Sequence, residues 1–374
     1  MSERISLADP VLGEAEKEAL ARVIDEGWLT MGDRVKSLED AFARLHGVEG
    51  AVAVSSCTAG LHLCLAALDI GPGDEVLLPS LTFVATANTV LYAGARPVFV
   101  DIQRMDLPHL SMEDARAKLT SRTRGVIVMH YGGYPVDLPG WRAFADAHGL
   151  KLVEDAAHAP GVGEVGRWGD AAAFSFFANK NMTTAEGGMV LARDPVVLQD
   201  IRFMRAHGMT TGTLDRHRGH AHSYDVTMLG YNYRMDELRA ALGLEQIRRL
   251  GQWNARRRKL AGYYRRVLGQ ALPVVIVPFQ DGQETAAHLM AVLLPADAAR
   301  ERVMDQLREA GIQSSIHYPP VHQFSYYRDR FGPVCLPLTE GFSKRELTLP
   351  LHPSLTEAQV ERVVGTLQRA LEKS

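Results

Sequence analysis

Between residues 50 and 200 of the 374-residue chain, short runs of Val, Ile, Leu and Ala alternate with longer amphipathic stretches. That rhythm predicts a mostly parallel sheet covered by helices. The expected strands span 51–55, 75–79, 96–100, 125–129, 151–154, 171–176 and 188–192, and strands buried between helix layers need apolar residues on both faces. Gly71-Pro72-Gly73-Asp74 marks a turn, while 58–67 and 111–119 read as helices. From 235 to 268 a helical pattern carries Leu238, Leu242, Ile247, Leu250, Leu260, Tyr263 and Val267, loosened by Gly243 and Gly251. Beyond about 270 the chain alternates again, with a strand around 288–294, a helix over 297–310, a strand around 313–317 and a helix over 356–372. These elements predict a large domain over 1–250 and a small C-terminal α+β domain over 251–374. No long Pro/Gly/Ser linker parts the two, so they should pack together.

In sheets of this kind ligands gather at the carboxyl ends of strands, and Asp155 and Ser175 both fall at such ends. Asp155 follows Leu152-Val153-Glu154 and would emerge at the edge of an apolar sheet, where a charge needs a cationic partner. A helix cap or a structural ion pair would also answer that need. Lys180 follows the strand that ends in Phe174-Ser175-Phe176 and precedes Glu186-Gly187-Gly188, where the backbone can pass close to another group. A desolvated lysine can form an imine with an aldehyde. An acid, a lysine and a serine spaced in this way suit the anchorage of pyridoxal 5'-phosphate (PLP): the acid for a pyridinium nitrogen, the amine for the aldehyde, the hydroxyl for the phosphate. His158 could bond the ring's phenolic oxygen or lie against its face, or could be a core histidine on a backbone carbonyl. Ser55-Ser56-Cys57-Thr58-Ala59-Gly60 lies between a strand and an apolar helix, a natural phosphate site, although small polar residues also cap ordinary helices. Phe83 could stack on the ring or be core.

Composition narrows the setting. With 46% hydrophobic and 23% charged residues and a net charge of -3, the chain has no basic excess that would suit nucleic acid. Cys57, Cys64 and Cys335 are too scattered for a disulfide framework or a cysteine zinc site, so a reducing cytoplasm is expected. The amino terminus has no apolar signal segment and no run of about eighteen apolar residues occurs, so no membrane span is expected.

Further motifs run in order along nearly the whole chain: Gly27-Trp28-Leu29-Thr30-Met31-Gly32, Ser56-Cys57-Thr58-Ala59, Gly71-Pro72-Gly73-Asp74-Glu75-Val76 and Thr82-Phe83-Val84-Ala85-Thr86-Ala87-Asn88. Gly230-Tyr231-Asn232-Tyr233-Arg234-Met235, His317-Tyr318-Pro319-Pro320 and Leu349-Pro350-Leu351-His352-Pro353 complete the set. Together they resemble the sugar aminotransferases of the DegT/DnrJ/EryC1/StrS family. The resemblance implies an α/β fold of the aspartate aminotransferase type (PLP fold type I), with a mixed, mostly parallel sheet in the large domain. It also implies Lys180 as the imine-forming residue, Asp155 at the ring nitrogen, His158 near the phenolic oxygen and Phe83 stacked. Thr58, Ala59 and Ser175 would hold the phosphate. Asn232 would reach the cofactor of a neighbouring subunit, which implies a homodimer with shared active sites. The implied partners are an amino-acid donor, L-glutamate being expected, and a keto- or aldehyde-sugar acceptor. A nucleotide-linked sugar of surface-polysaccharide or aminosugar synthesis is the first expectation; a free ulosonic acid (8-amino-Kdo type) or a cyclitol is the alternative.

Two departures from the family pattern stand out. Ala185 occupies a place where glycine is usual, so a positive φ there would be strained. The segment from Arg205 to Asp225 is long and carries Arg205, His207, Arg216, His217, Arg218, His220 and His222. It reads either as a solvated loop or as an anion pocket in which Arg205, Arg216 and Arg218, with His317 and Tyr318, contact substrate. No regular spacing supports a metal site. Among rivals, a PLP-dependent sugar dehydratase of the same family would carry histidine where Lys180 stands. A non-catalytic homologue remains open, and a nucleotide-binding dehydrogenase would need a Gly-x-Gly-x-x-Gly that does not follow the first strand.

Overall fold

A computed structural model of the chain describes residues 4–211, 219, 223–280 and 282–373. Its strands in chain order are β1 (Val52–Val54), β2 (Glu75–Pro79), β3 (Arg96–Val100), β4 (Ile102–Arg104), β5 (Leu107–Leu110), β6 (Thr123–Met129), β7 (Lys151–Asp155), β8 (Ala171–Ser175) and β9 (Gly188–Ala192), then β10 (Met290–Leu293) and β11 (Glu346–Leu349). A seven-stranded sheet has the order β1-β9-β8-β7-β6-β2-β3. It is parallel from β3 to β8, while β9 runs antiparallel to both β8 and β1. The expected strands of the large domain therefore all form, as a mixed sheet.

Side chains alternate across this sheet with a period of two. Val126 and Val128 join Ala53, Leu77, Leu152, Ala172 and Phe174 in one core, while Ile127 joins Val54, Val76, Leu78, Val153, Ala173 and Val190 in the core on the other side. Gly188 opens β9 where a Cβ would sit 2.7 Å from the Phe174 carbonyl oxygen and 2.8 Å from the Cys57 nitrogen. Only a residue without a side chain lets β9 pass between β8 and the loop that starts the Cys57–Ala67 helix. Ala185 has φ 65°, the left-handed conformation that glycine adopts more cheaply.

The long helix runs without a break from Glu237 to Ala271, capped by the Asp236 carboxylate on the Arg239 N–H. It crosses the expected boundary at 250, and Ala240 and Leu250 pack in the large core while Leu260, Tyr264 and Leu268 pack in the C-terminal one. Ile5 also belongs to the C-terminal core, and its N–H bonds to the Gly311 carbonyl. We propose that the two cores are two domains joined by this helix, with the amino-terminal segment counted in the second.

One expected strand is absent. Residues 313–317 make only a single bridge, Ser315 to Thr348, and the antiparallel partner of β10 is β11. Gln313 gives its N–H to Ile5 and Ser315 gives its N–H to Thr348. The segment thus divides its backbone bonds between two neighbours and cannot form a ladder with either. No helix among the described residues is long and apolar enough to cross a membrane.

Candidate active site

β7 and β8 lie side by side in parallel register, with Asp155 opposite Ala173, so Asp155 and Lys180, 25 positions apart in the chain, come to the same edge of the sheet. A cavity of about 360 Å³ opens there, lined by Cys57, Thr58, Phe83, Asp155, His158, Ser175, Lys180, His317 and Tyr318 among others. Residues separated by up to 262 positions in the chain, Ser56 and Tyr318, share this wall.

Asp155 is buried and makes no ion pair with a side chain among the described residues. Its Oδ2 accepts the Thr86 hydroxyl at 2.7 Å and its Oδ1 accepts the Ala157 N–H at 3.2 Å. Burial raises its pKa, against which the Thr86 and Ala157 bonds and the more distant Lys180 charge act. The amine of Lys180 is shifted down to about 8, mainly by loss of hydration, with Cys57 and Asp155 opposing the shift. Burial also pushes the Cys57 thiol well up.

At the amino end of the Cys57–Ala67 helix, the Ser56 hydroxyl accepts the Ala59 N–H at 3.1 Å. Thr58 lines the cavity and Ala59 does not, and the Ala59 N–H is engaged by the Ser56 cap. The first-turn N–H groups that have no intrahelical partner give this end the character that suits an anion such as a phosphate. Ser175 is buried and accepts the Phe177 N–H at 3.3 Å, and its hydroxyl hydrogen is left to give.

His158 takes the Gly132 N–H on Nδ1 at 3.3 Å and faces the Tyr318 hydroxyl through Nε2 at 3.0 Å. Burial, then the Lys180 charge, holds its pKa far below the ordinary value, so it is neutral. Phe83 is 57% exposed and stands 6.1 Å from the Tyr318 ring. Asn232 is exposed, paired with Ala206, and does not line this cavity within its own chain.

Arg205 departs from the expectation of an anion pocket. Arg205 is buried, with Nη1 bound to the Glu39 carboxylate and 2.6 Å from the Ala53 carbonyl oxygen. It ties the Asp33–His46 helix to β1 and does not reach the cavity. Arg216 and Arg218 lie outside the described residues.

Thr86 and Glu346 were not singled out from the sequence. Thr82 and Thr86 stand four apart at the start of a helix, one above the other, which was a usable signal. Glu346 opens β11 directly after Lys344 and Arg345, so the sequence made it look like part of a charged surface run.

The donor set suits PLP. A buried carboxylate without a cation can pair with a protonated ring nitrogen, Lys180 can meet the aldehyde, and the Cys57–Ala67 helix terminus can meet the phosphate. The sequence model of the DegT/DnrJ/EryC1/StrS aminotransferase family matches residues 10–368. The chain belongs to this family. It is a PLP-dependent aminotransferase of the α/β type. Three solved structures are similar to it over 99–100% of each chain. PseC of Helicobacter pylori, an aminotransferase involved in the biosynthesis of pseudoaminic acid, is 27% identical, with 100% of both chains covered and a TM-score of 0.91. The aminotransferase TlmJ from Streptoalloteichus hindustanus is 34% identical over 99% of this chain and 100% of its own, also with a TM-score of 0.91. Spr1654 from Streptococcus pneumoniae, named as a candidate sugar aminotransferase, has been solved in a PLP and a PMP form. Its PLP form is 28% identical over 99% of each chain, with a TM-score of 0.90.

Proposed function

We propose that this aminotransferase moves an amino group from an amino acid, L-glutamate being the expected donor, to a keto- or aldehyde-sugar, with a nucleotide-linked sugar as the first candidate. The observation that carries the chemistry is the pairing of a lysine whose pKa is lowered to about 8 with a buried carboxylate that lacks a cationic side chain. The sugar class rests on what the related proteins are named for.

When bound, PLP supplies an aldehyde that an amine can attack and a ring that withdraws electrons from the substrate carbon. Lys180 is the amine that would hold it, and the same amine, when free, would be the base that takes the proton from the donor Cα. In the second half of the cycle Lys180 returns a proton to the sugar carbon, and its pKa lies near neutrality, where a group can both take and give a proton. Asp155, ionised by its two donors and the ring nitrogen opposite, keeps that nitrogen protonated. Phe83 would cover the ring, Thr58 and Ser175 would hold the phosphate, and neutral His158 would stand at the phenolic oxygen.

The protein works as a homodimer in which Asn232 reaches the partner's cofactor. Phe83 at 57% and Phe177 at 43% exposure place large apolar surface at the cavity mouth, where a second subunit would cover it. Sedimentation should give a dimer, and a monomer with full activity would overturn this part.

The test of the whole reading is to reduce the purified protein with borohydride and locate the fixed cofactor. PLP should be found on Lys180, and candidate keto-sugars added to the amine form should restore the imine absorption. Lys180→Ala with full activity would defeat the mechanism, and restoration by free ulosonic acids alone would defeat the choice of acceptor.

A further inference from the structure

The strand β11 carries a buried carboxyl group that contacts the active site through one intermediary. Glu346 Oε1 lies 2.5 Å from the Thr348 hydroxyl, and that hydroxyl lies 2.8 Å from Nδ1 of His317. Glu346 Oε2 accepts the His317 backbone N–H at 2.8 Å, so the two residues are held at both main chain and side chain. The Tyr131 hydroxyl donates to the His317 carbonyl and the Ser343 hydroxyl donates to the Tyr318 carbonyl at 2.9 Å, which fixes the segment further. With Nδ1 engaged, Nε2 is the ring nitrogen that His317 offers to the cavity it lines.

We propose that Glu346 and Thr348 are positioning residues that form a proton relay and set whether His317 offers the substrate an N–H donor or a bare nitrogen acceptor. The assignment follows from hydrogen counting. When Glu346 carries its proton, it donates to the Thr348 oxygen, Thr348 donates to His317 Nδ1, and Nε2 must hold the imidazole hydrogen. When Glu346 is ionised, every hydrogen in the chain turns round: Thr348 donates to Glu346, His317 donates from Nδ1 to Thr348, and Nε2 is bare. The conversion balances as one proton released from Nε2 to the solvent side, while the carboxyl hydrogen passes through the hydroxyl to Nδ1. His317 stays uncharged in both states.

The electrostatics place this switch in a useful range. Glu346 has no carboxylate or cation in contact with its side chain among the described residues, and burial lifts its pKa to about 8 against the bonds from Thr348 and the His317 N–H. Burial, then the Lys180 charge, lowers His317 to about 4, so its neutral tautomers are what interconvert. The other titratable groups facing the relay are Tyr131 and Tyr318, both shifted up by burial, with Arg300 bonded to the Glu346 carbonyl, His158 and Lys180 lining the cavity, and His288 packed beside His158. At neutral pH His317 therefore presents a donor, which suits a carbonyl or carboxylate oxygen of the substrate. Above the Glu346 transition it presents an acceptor, which suits a hydroxyl. The substrate preference rests on the proposed function; the tautomer does not.

The test is nitrogen NMR of the holoenzyme carrying labelled histidine, between about pH 6.5 and 9.5. In the unmodified protein His317 should pass from the Nε2–H to the Nδ1–H tautomer near pH 8. Glu346→Gln should hold it as Nε2–H throughout, because an amide donates to Thr348 at every pH. Lys180 and its cofactor are intact in that variant, so a switch that persists in Glu346→Gln, or no switch in the unmodified protein, overturns the relay. Borohydride fixation at Lys180, read in parallel, reports on the proposed function separately.

Discussion

Thr86 gives its hydroxyl hydrogen to Asp155 Oδ2 at 2.7 Å, and Thr82 in turn lies 2.7 Å from the Thr86 oxygen. Since an ionised Asp155 has no hydrogen to give, the chain is directed from Thr82 through Thr86 to the carboxylate. Replacing Thr86 by Val keeps the shape and removes the donor. Without a bound cation Asp155 can answer by taking up a proton, whereas the cofactor-bound state needs it ionised, so the loss falls on the bound state. A lost bond to a buried charged oxygen costs about 1–3 kcal/mol, or roughly ten- to a hundredfold in PLP affinity. Thr86→Ser should bind PLP normally. Equilibrium titration followed by absorbance checks both, and an unchanged affinity in Thr86→Val would remove the hydroxyl from the argument.

The amine of Lys180, lowered to about 8, is protonated below that pH and free above it. The rate at which cofactor-free protein captures PLP should therefore climb about tenfold per pH unit below the transition and level off above it. Stopped-flow absorbance measures this directly. A rate still rising steeply near the ordinary lysine pKa of 10.5 would mean that the amine keeps its full hydration.

Arg205 and Glu39 form a buried pair, so Arg205→Met should leave an uncompensated carboxylate inside the protein and lower stability by about 3–5 kcal/mol. The protein that remains folded should show an unchanged KM for both substrates. Pairing it with Glu39→Leu should recover much of the loss, as seen by denaturant unfolding. A selective rise in KM would restore Arg205 to the substrate site.

Glu346 ties stability to pH. Its carboxyl loses a proton near 4.5 when unfolded and only near 8 when folded, so the unfolded state binds fewer protons between those values. Stability contributed at this site is full below the lower value and falls as pH rises to the upper one. Glu346→Gln lacks the effect. Its stability relative to the unmodified protein should rise by a few kcal/mol across that window and stay flat above it, measured by chemical denaturation at several pH values.

Ala185 holds φ at 65°. A left-handed alanine costs about 1–2 kcal/mol, partly offset in the reverse exchange by the greater unfolded freedom of glycine. Ala185→Gly should leave the melting temperature unchanged or raise it slightly. A clear fall would show that the alanine methyl packs against something that matters more than the backbone.

The sequence by itself determined the strands of the large sheet, because a parallel strand covered on both faces has no polar position to blur its apolar run, as in Val126 to Met129. It also pointed to Asp155 and Lys180 as residues that follow neighbouring apolar runs, and to the long helix, whose apolar positions repeat from Leu238 to Val267. What it could not carry was direction and partner. Arg205 looked like an anion ligand beside other basic residues, and only the packing of β1 against the Asp33–His46 helix turns it inward to Glu39. Residues 313–317 alternate like a strand, yet the competition between Ile5 and Thr348 for their backbone groups leaves them without a ladder. Thr86, Glu346 and Thr348 are ordinary in composition, and they matter because the fold removes water from around Asp155 and His317. A pattern of residue types records what each segment buries, but the loss of hydration around a polar group, and which neighbour replaces the water, depend on chain segments that meet only when the molecule is folded.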